Sequence, residues 1–149
     1  MEPGGSPPPV PAPPGSSYAG WVLVCDDTAS IRLLIRINLE LAGFEVLECT
    51  DGRAALDLLN RHRKRLPRVL ILDAQMRRLD GWDTMAELRA DPVFAKLPVL
   101  MVTAALQQRE RERSVAAGVD AFLPKPFDPD ELVSVVRDLA ANGRRSAQP

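Results

Sequence analysis

The chain has 149 residues, a formal net charge of -1, 46% hydrophobic residues and 26% charged residues. This length suffices for one domain with its own core and is too short for two ordinary domains. The composition is that of a soluble globular protein, without the basic excess that nucleic-acid binding usually requires. We therefore expect one folded unit that makes no direct contact with nucleic acid.

The beginning of the chain differs in composition from the rest. Residues 1–19 alternate proline with glycine, serine and alanine, and bury too little apolar surface to offset the entropy of ordering them. We predict a disordered tail over 1–19, a folded domain over 20–141 and a polar C-terminal tail over 142–149. The chain shows neither a secretory signal nor a run that could cross a bilayer, so we expect a cytoplasmic location and no membrane contact.

From residue 21 onward, apolar runs alternate with segments of helical spacing. The apolar runs predict strands at residues 21–25, 45–49, 68–73, 97–103 and 121–123. The helical spacing predicts helices over 31–42, around 55–59, over 82–90, around 107–117, and from Pro129 onward after the N-cap Asp128. Because parallel neighbours need crossover helices, this alternation predicts an α/β fold with a doubly wound, five-stranded parallel sheet.

The predicted sheet gathers polar side chains at one edge. The first strand ends at Asp26 and Asp27, the third at Asp73 and the fourth at Thr103, while the fifth leads into Lys125. Ligands of such sheets bind beyond the carboxyl ends of the strands. We therefore expect three carboxylates, a hydroxyl and an ammonium group to meet there.

The residue types at this edge indicate phosphoryl chemistry. Three carboxylates close together repel one another, and a divalent cation is the simplest way to neutralise them at neutral pH. An all-oxygen donor set suits Mg²⁺, while Lys125 and Thr103 are suited to hold a further anion. Metal, lysine and hydroxyl together describe a phosphoryl site. Since a carboxylate can attack phosphorus to form an acyl phosphate, Asp73 is the expected nucleophile.

Five motifs in chain order make the stretch from about Trp21 to Ala141 resemble the receiver domain of bacterial two-component response regulators. The motifs are VLVCDD, LILDAQM, LDGWD, PVLMVTA and AGVDAFLPKPF. The resemblance implies a flavodoxin-like (βα)5 fold with strand order 2-1-3-4-5. It also implies that Asp73 accepts a phosphoryl group from a sensor histidine kinase or a phosphotransfer protein. Asp26, Asp27, Asp73 and the backbone carbonyl of Gln75 would hold Mg²⁺.

The resemblance also implies a switch. Thr103 and Lys125 would contact the phosphoryl group, Phe122 would change rotamer, and the Lys125–Pro126 peptide bond would be cis. A phosphoryl group adds roughly -1.5 to -2 charge, which would pull Thr103 inward and leave space for Phe122. The face formed by the fourth helix, the fifth strand and the fifth helix would then change shape. A downstream protein target, or a second copy of the chain, would bind this face.

The chain departs from the receiver pattern after the acceptor strand. Receivers commonly have Met-Pro there, whereas Met76 is followed by Arg77 and Arg78. Without the proline, the loop should be less rigid. The arginines either favour an acidic partner or are simply solvated. Ala105 occupies a position where many receivers carry a longer side chain that influences loss of the phosphoryl group.

Other interpretations of the same residues stay open. Asp26 and Asp27 are also suited to cap the first helix. A Mg²⁺-dependent phosphatase with an Asp nucleophile is an alternative, although such enzymes usually carry an Asp where Gln75 stands. A second alternative is a pseudo-receiver scaffold that is never phosphorylated. Because only tails flank the predicted domain, we expect a stand-alone receiver that works as a switch and not as an enzyme. His62, the only histidine, is expected to be solvated at a helix end.

Overall fold

The computed structural model of the protein describes residues 20–104 and 108–145. The predicted N-terminal tail, Ala105 and residues 146–149 lie outside the described residues. Strands and helices alternate in the order β1 (Trp21–Cys25), α1 (Ala29–Leu41), β2 (Glu45–Cys49), α2 (Gly52–Arg61), β3 (Val69–Leu72), α3 (Gly81–Ala90), β4 (Val99–Thr103), α4 (Gln108–Ala116), β5 (Ala121–Pro124) and α5 (Pro129–Asn142). A short 3-10 helix at Pro92–Phe94, which the sequence patterns do not predict, lies between α3 and β4.

The five strands form one parallel sheet in the order β2-β1-β3-β4-β5. This confirms the predicted α/β class and the strand order. In the register, Cys25 lies beside Cys49 on one side and Leu72 on the other. The carboxyl ends of β1, β2 and β3 are therefore level, and the residues that follow them share one edge of the sheet, which we call the acceptor edge.

Helices cover both faces of this sheet, so its strands are buried on both sides. Alternate residues of β1 show the division: Trp21, Leu23 and Cys25 belong to one core and Val22 and Val24 to the other. The first core includes side chains of α2 and α3, and the second includes side chains of α1 and α5. This packing fixes the strand ends against a rigid scaffold.

Local signals set the ends of several elements. Strand β4 begins at Val99, two residues later than predicted, because Pro98 has no N–H to give to a ladder. Strand β3 ends at Leu72, so Asp73 lies just beyond the strand. Three helices begin at an aspartate whose side chain accepts a backbone N–H of the first turn: Asp51 from Ala54, Asp80 from Asp83, and Asp128 from Asp130.

The end of α5 extends past the predicted boundary at residue 141. The helix continues to Asn142, and the chain then folds back onto Asp120. Arg144 Nε lies 3.0 Å from Asp120 Oδ1, and the Arg145 N–H donates to the same oxygen at 2.9 Å. The described start of the predicted polar tail is therefore docked on the domain. Within the described ranges, no helix has the length and apolar content needed to span a bilayer.

Candidate functional site

Three carboxylates meet at the acceptor edge. Asp26, Asp27 and Asp73 each offer an oxygen within 4.8 Å of the others. The N–H of Asp73 donates to the carbonyl of Cys25 at 3.0 Å, which holds the two strand ends side by side. Asp26 and Asp73 are buried, at 2% and 5% exposure, whereas Asp27 is exposed. The cluster therefore has two desolvated members and one member that faces solvent.

One ammonium group lies against the two buried carboxylates. Lys125 follows β5, and its Nζ is 2.7 Å from Asp26 Oδ2 and 3.1 Å from Asp73 Oδ2. The next peptide bond, Lys125–Pro126, is cis. Burial lowers the pKa of the Lys125 ammonium, but its hydrogen bonds to both carboxylates outweigh burial and hold that pKa above its usual value. Lys125 is thus a permanent cation in the cluster.

Asp73 is incompletely neutralised by these contacts. Burial raises the pKa of its carboxyl group, and the neighbouring Asp26 carboxylate adds to the rise. The backbone N–H of Gln75, which donates to Asp73 Oδ1 at 3.1 Å, and Lys125 act in the opposite direction without cancelling it. One ammonium for three carboxylates leaves the cluster short of positive charge.

The donor set fits a hard divalent cation. All three side chains offer carboxylate oxygens within 4.8 Å of one another, and oxygen-only sets of this kind suit Mg²⁺. The loop after β3 folds back so that the Gln75 N–H reaches Asp73, which brings the Gln75 backbone to the cluster. The Gln75 carbonyl as a further ligand stays a prediction.

Asp26 precedes α1 without capping it, because the N-cap is Thr28 and this N-cap makes no side-chain cap hydrogen bond. The Asp26 side chain has two other contacts. Its Oδ1 accepts the N–H of Thr28 at 2.9 Å while its Oδ2 faces Lys125. Arg32 adds a contact that the sequence patterns did not reveal: Nη1 donates to the Asp26 carbonyl at 2.6 Å, and Nε pairs with Glu48 at 2.9 Å. The capping interpretation of Asp26 is therefore wrong, and its side chain belongs to the carboxylate cluster.

The profile of the response regulator receiver domain family matches residues 22–137. The chain belongs to this family. The receiver resemblance of the sequence motifs is thereby confirmed, and so is a place in two-component signalling.

Curated relatives of this receiver domain are response regulators and transcriptional regulators. Response regulator Rre1 of Synechocystis is 38% identical over 127 residues, which cover 85% of this chain and 54% of the relative. The DNA-binding dual master transcriptional regulator RpaA of the same organism is 35% identical, with 85% and 52% covered. The chain spans about half the length of the curated relatives it matches.

Solved structures support the same assignment. The chemotaxis response regulator CheY4 of Vibrio cholerae superposes with a TM-score of 0.73 at 30% identity, covering 80% of this chain and 97% of CheY4. The Francisella response regulator 1452 receiver domain gives a TM-score of 0.74 at 30% identity, covering 81% and 96%. Both likenesses extend over nearly the whole of the solved chain.

The two expected switch residues of this receiver domain occupy neighbouring strands. Thr103 is the last residue of β4 and is fully buried, and its carbonyl accepts the N–H of Lys125 at 2.9 Å. Phe122 lies in β5 beside Met101 and is half-buried. The structure thus connects Thr103 directly to the lysine of the cluster. A rotamer change of Phe122 stays a prediction.

The two arginines after Met76 border a cavity beside the cluster. Arg78 has a φ of 66°, in the left-handed region that side chains other than glycine rarely adopt. Its Nη1 pairs with Asp51 Oδ2 at 3.4 Å, so it is not simply solvated. The cavity has a volume of about 430 Å³ and is lined by Asp27, Thr28, Thr50, Asp51, Arg77 and Arg78.

Gly81 allows α3 to begin directly against Asp73. A Cβ at this position would lie 2.4 Å from the carbonyl oxygen of Asp73. The Gly81 N–H donates to the carbonyl of Ala74 at 2.9 Å, which closes the loop. The Asp80-Gly81 turn signal in the sequence marks this contact, although its reason, close backbone approach, appears only in the structure.

Proposed function

We propose that Asp73 accepts a phosphoryl group from the phosphohistidine of a sensor histidine kinase or phosphotransfer protein, and that the modified domain changes a protein-binding surface. The observation that carries this proposal is the buried Asp73 carboxylate, 3.1 Å from Lys125 and within 4.8 Å of two further carboxylates. This arrangement offers a nucleophile with a fixed cation beside it and an oxygen site for Mg²⁺.

The proposed step forms one bond and breaks one. An oxygen of Asp73 attacks phosphorus, the new P–O bond forms, and the P–N bond to the donor histidine breaks with its electron pair going to the imidazole. Lys125 offsets the charge on the incoming phosphoryl oxygens, and Thr103 offers a hydroxyl to them. Mg²⁺, when bound by Asp26, Asp27, Asp73 and the Gln75 carbonyl, would supply further charge neutralisation.

An exposed apolar face of α1 supports docking of a protein donor. Leu33, Leu34, Ile37 and Leu41 are 55%, 38%, 48% and 82% exposed. Helix α1 begins three residues after Asp26, at the acceptor edge, so a partner seated on this face lies beside Asp73. Exposed aliphatic side chains grouped in this way are typical of protein interaction surfaces.

For the output we propose a protein target, or a second copy of the chain, at the face of α4, β5 and α5. RpaA is named as a DNA-binding regulator, but we propose that this domain itself acts through protein contacts and not through direct contact with nucleic acid. The near-neutral charge of the chain supports this. A cytoplasmic location and a switch function without turnover of an external substrate belong to the same proposal.

Incubation with acetyl phosphate and Mg²⁺, followed by intact-mass measurement, tests the assignment. We expect one phosphoryl group on the wild-type chain, none on Asp73→Asn, and an unchanged adduct on Asp57→Asn, a matched control at an exposed position of α2. EDTA should prevent the reaction. If no adduct forms either with or without Mg²⁺, the proposal is contradicted. Steady hydrolysis of acetyl phosphate without accumulation of an adduct would favour the Mg²⁺-dependent phosphatase.

A further inference from the structure

Helix α4 lacks the apolar stripe that holds the other helices to the sheet. Ser114 is its one buried residue among positions 109–116, and Val115 is 67% exposed. By contrast, α5 buries Leu132, Val136 and Leu139. Apolar burial, the main source of helix attachment in proteins, therefore contributes little to holding α4.

Two polar features weaken α4 further. The Ser114 hydroxyl donates back to the carbonyl of Arg111 at 2.7 Å, a bond within the helix that makes no contact with the sheet. Within the described ranges, Glu110 Oε1 is buried and has no hydrogen-bond partner, which is unfavourable for an acceptor removed from water. The attachment of α4 has to come from other contacts.

Two arginines of α4 lie over aromatic rings of neighbouring elements. The guanidinium carbon of Arg113 is 4.4 Å from the ring centroid of Trp82 in α3. That of Arg111 is 5.9 Å from the ring centroid of Phe122 in β5. Both distances lie within the range of about 6 Å over which a cation is attracted to a ring face. Helix α4 thus makes two cation–π contacts with neighbouring elements.

Each of the two aromatic rings lies near Asp73 or near its expected switch partner Thr103. Trp82 directly follows Gly81, whose backbone packs against the Asp73 carbonyl. Phe122 pairs with Met101, on the strand that ends at Thr103. Both rings therefore belong to elements that adjoin the phosphoryl site, Trp82 to α3 and Phe122 to β5.

We propose that Arg111 and Arg113 are the positioning residues that hold α4 in the unmodified state, and that the inward turn of Phe122 releases the Arg111 contact. The proposal deepens the proposed function, because the turn of Phe122 rests on phosphorylation of Asp73. Once Arg111 loses its ring, Arg113 makes the remaining cation–π contact of α4 within the described residues, and a helix without an apolar stripe shifts. The phosphoryl group thus acts on the α4 surface by removing a contact.

Hydrogen exchange of the unmodified full chain tests the two contacts directly. We expect Arg111→Gln and Arg113→Gln each to speed exchange of the α4 amides by about two- to fivefold, the effect of losing one exposed cation–π contact. Exchange in α2 and α5 should not change. Arg109→Gln is the matched control, because Arg109 is an exposed arginine of the same helix that makes no ring contact among the described residues.

Tryptophan emission tests the release. In a Trp21→Phe background only Trp82 emits, since the chain has two tryptophans. We expect beryllium fluoride with Mg²⁺, a mimic of the phosphoryl group, to change Trp82 emission and to speed α4 exchange. In Arg111→Gln, which lacks the contact that the mimic is expected to release, the emission should start near the released value and change less on addition of the mimic.

The possible outcomes separate this proposal from the proposed function. Unchanged α4 exchange in both arginine variants overturns the inference, even if Asp73 is phosphorylated. An equal change in Arg109→Gln also overturns it, because net charge and not ring contact would then be responsible. If acetyl phosphate gives no adduct, the proposed function fails, while the exchange of the unmodified variants still decides whether the arginines hold α4.

Discussion

Buried aspartates at the two edges of the sheet differ in how many hydrogen-bond donors surround them. At the edge opposite the acceptor edge, Asp120 accepts from the backbone N–H groups of Val99 and Arg145 and from the guanidinium groups of Arg89 and Arg144, at 2.9 to 3.2 Å. At the acceptor edge, two buried aspartates share one lysine. The carboxylate of Asp120 is therefore surrounded by donors, whereas the carboxylates of Asp26 and Asp73 have fewer.

This contrast distinguishes a structural carboxylate from a reactive one. Burial lowers the pKa of Arg89 to about 10, helped by the nearby charge of Arg144 and opposed by Asp120, so the carboxylate is what keeps these cations stable inside the fold. At Asp73, burial raises the pKa and the available donors do not cancel the rise. Incomplete neutralisation of its negative charge, and not burial alone, distinguishes the cluster for which we propose a cation and a phosphoryl group.

The largest expected effect is the replacement of Asp120. Asp120→Asn leaves the partly buried Arg89 and Arg144 without the counter-charge of the buried Asp120, and breaking a buried ion pair costs about 3–5 kcal/mol. Urea unfolding at neutral pH measures the loss. In the same assay, Asp73→Asn should unfold at the wild-type urea concentration or higher, because it removes one of three repelling carboxylates. Equal losses in the two variants would contradict the distinction between the edges.

The next effect is stabilisation by the proposed cation. Mg²⁺ at about 100 times its dissociation constant should raise the free energy of unfolding by about 2.7 kcal/mol, since it binds the folded cluster and not the unfolded chain. Asp27→Asn should fold like the wild type without Mg²⁺ and lose most of the gain, because Asp27 is the exposed member of the cluster. Asp57→Asn should keep the full gain. Thermal unfolding with and without Mg²⁺ is the measurement.

A smaller effect is expected at Lys125. Lys125→Gln removes the hydrogen bonds of a charged donor to two buried carboxylates, a loss of roughly 2 kcal/mol without metal. The variant cluster is more negative than the wild type, so Mg²⁺ should stabilise it by more than it stabilises the wild-type chain. If Mg²⁺ raises the free energy of unfolding less in Lys125→Gln than in wild type, the lysine organises the metal site. It then does not compete with Mg²⁺ for the carboxylates.

Much of the fold and the members of the cluster follow from the sequence. Alternating apolar runs and helical spacing define the sheet, and parallel strands necessarily bring Asp26, Asp73 and Lys125 to one edge. These inferences succeed because they depend on periodicity and on strand direction, which are local properties of the chain.

Contacts between distant side chains were not predictable in this way. His62 was expected to be solvated, which is wrong: it is 8% exposed, bonds the Leu58 carbonyl at 2.8 Å, and packs on Trp21. The run of charged residues around it gave no sign of a ring contact with β1. Likewise, the charged residues of α4 give no sign that Arg113 lies over Trp82. Such pairings depend on tertiary distances.

The smallest effect concerns an aspartate at the surface, which tests whether burial is essential to the contrast between the edges. Asp91 pairs with Arg63 at 2.8 Å, and this hydrogen bond, with that of the Val93 N–H, lowers the pKa of the Asp91 carboxyl. A lowered pKa contributes stability that is present above the unfolded-state value of about 3.9 and is lost as the pH falls through the folded-state value. Asp91→Asn should therefore be slightly less stable than wild type in urea at pH 7 and equal to it at about pH 2, and raised salt should shrink the difference because the pair is exposed. A loss as large as that of Asp120→Asn would show that ion pairing, without burial, is enough to make an aspartate structural in this fold.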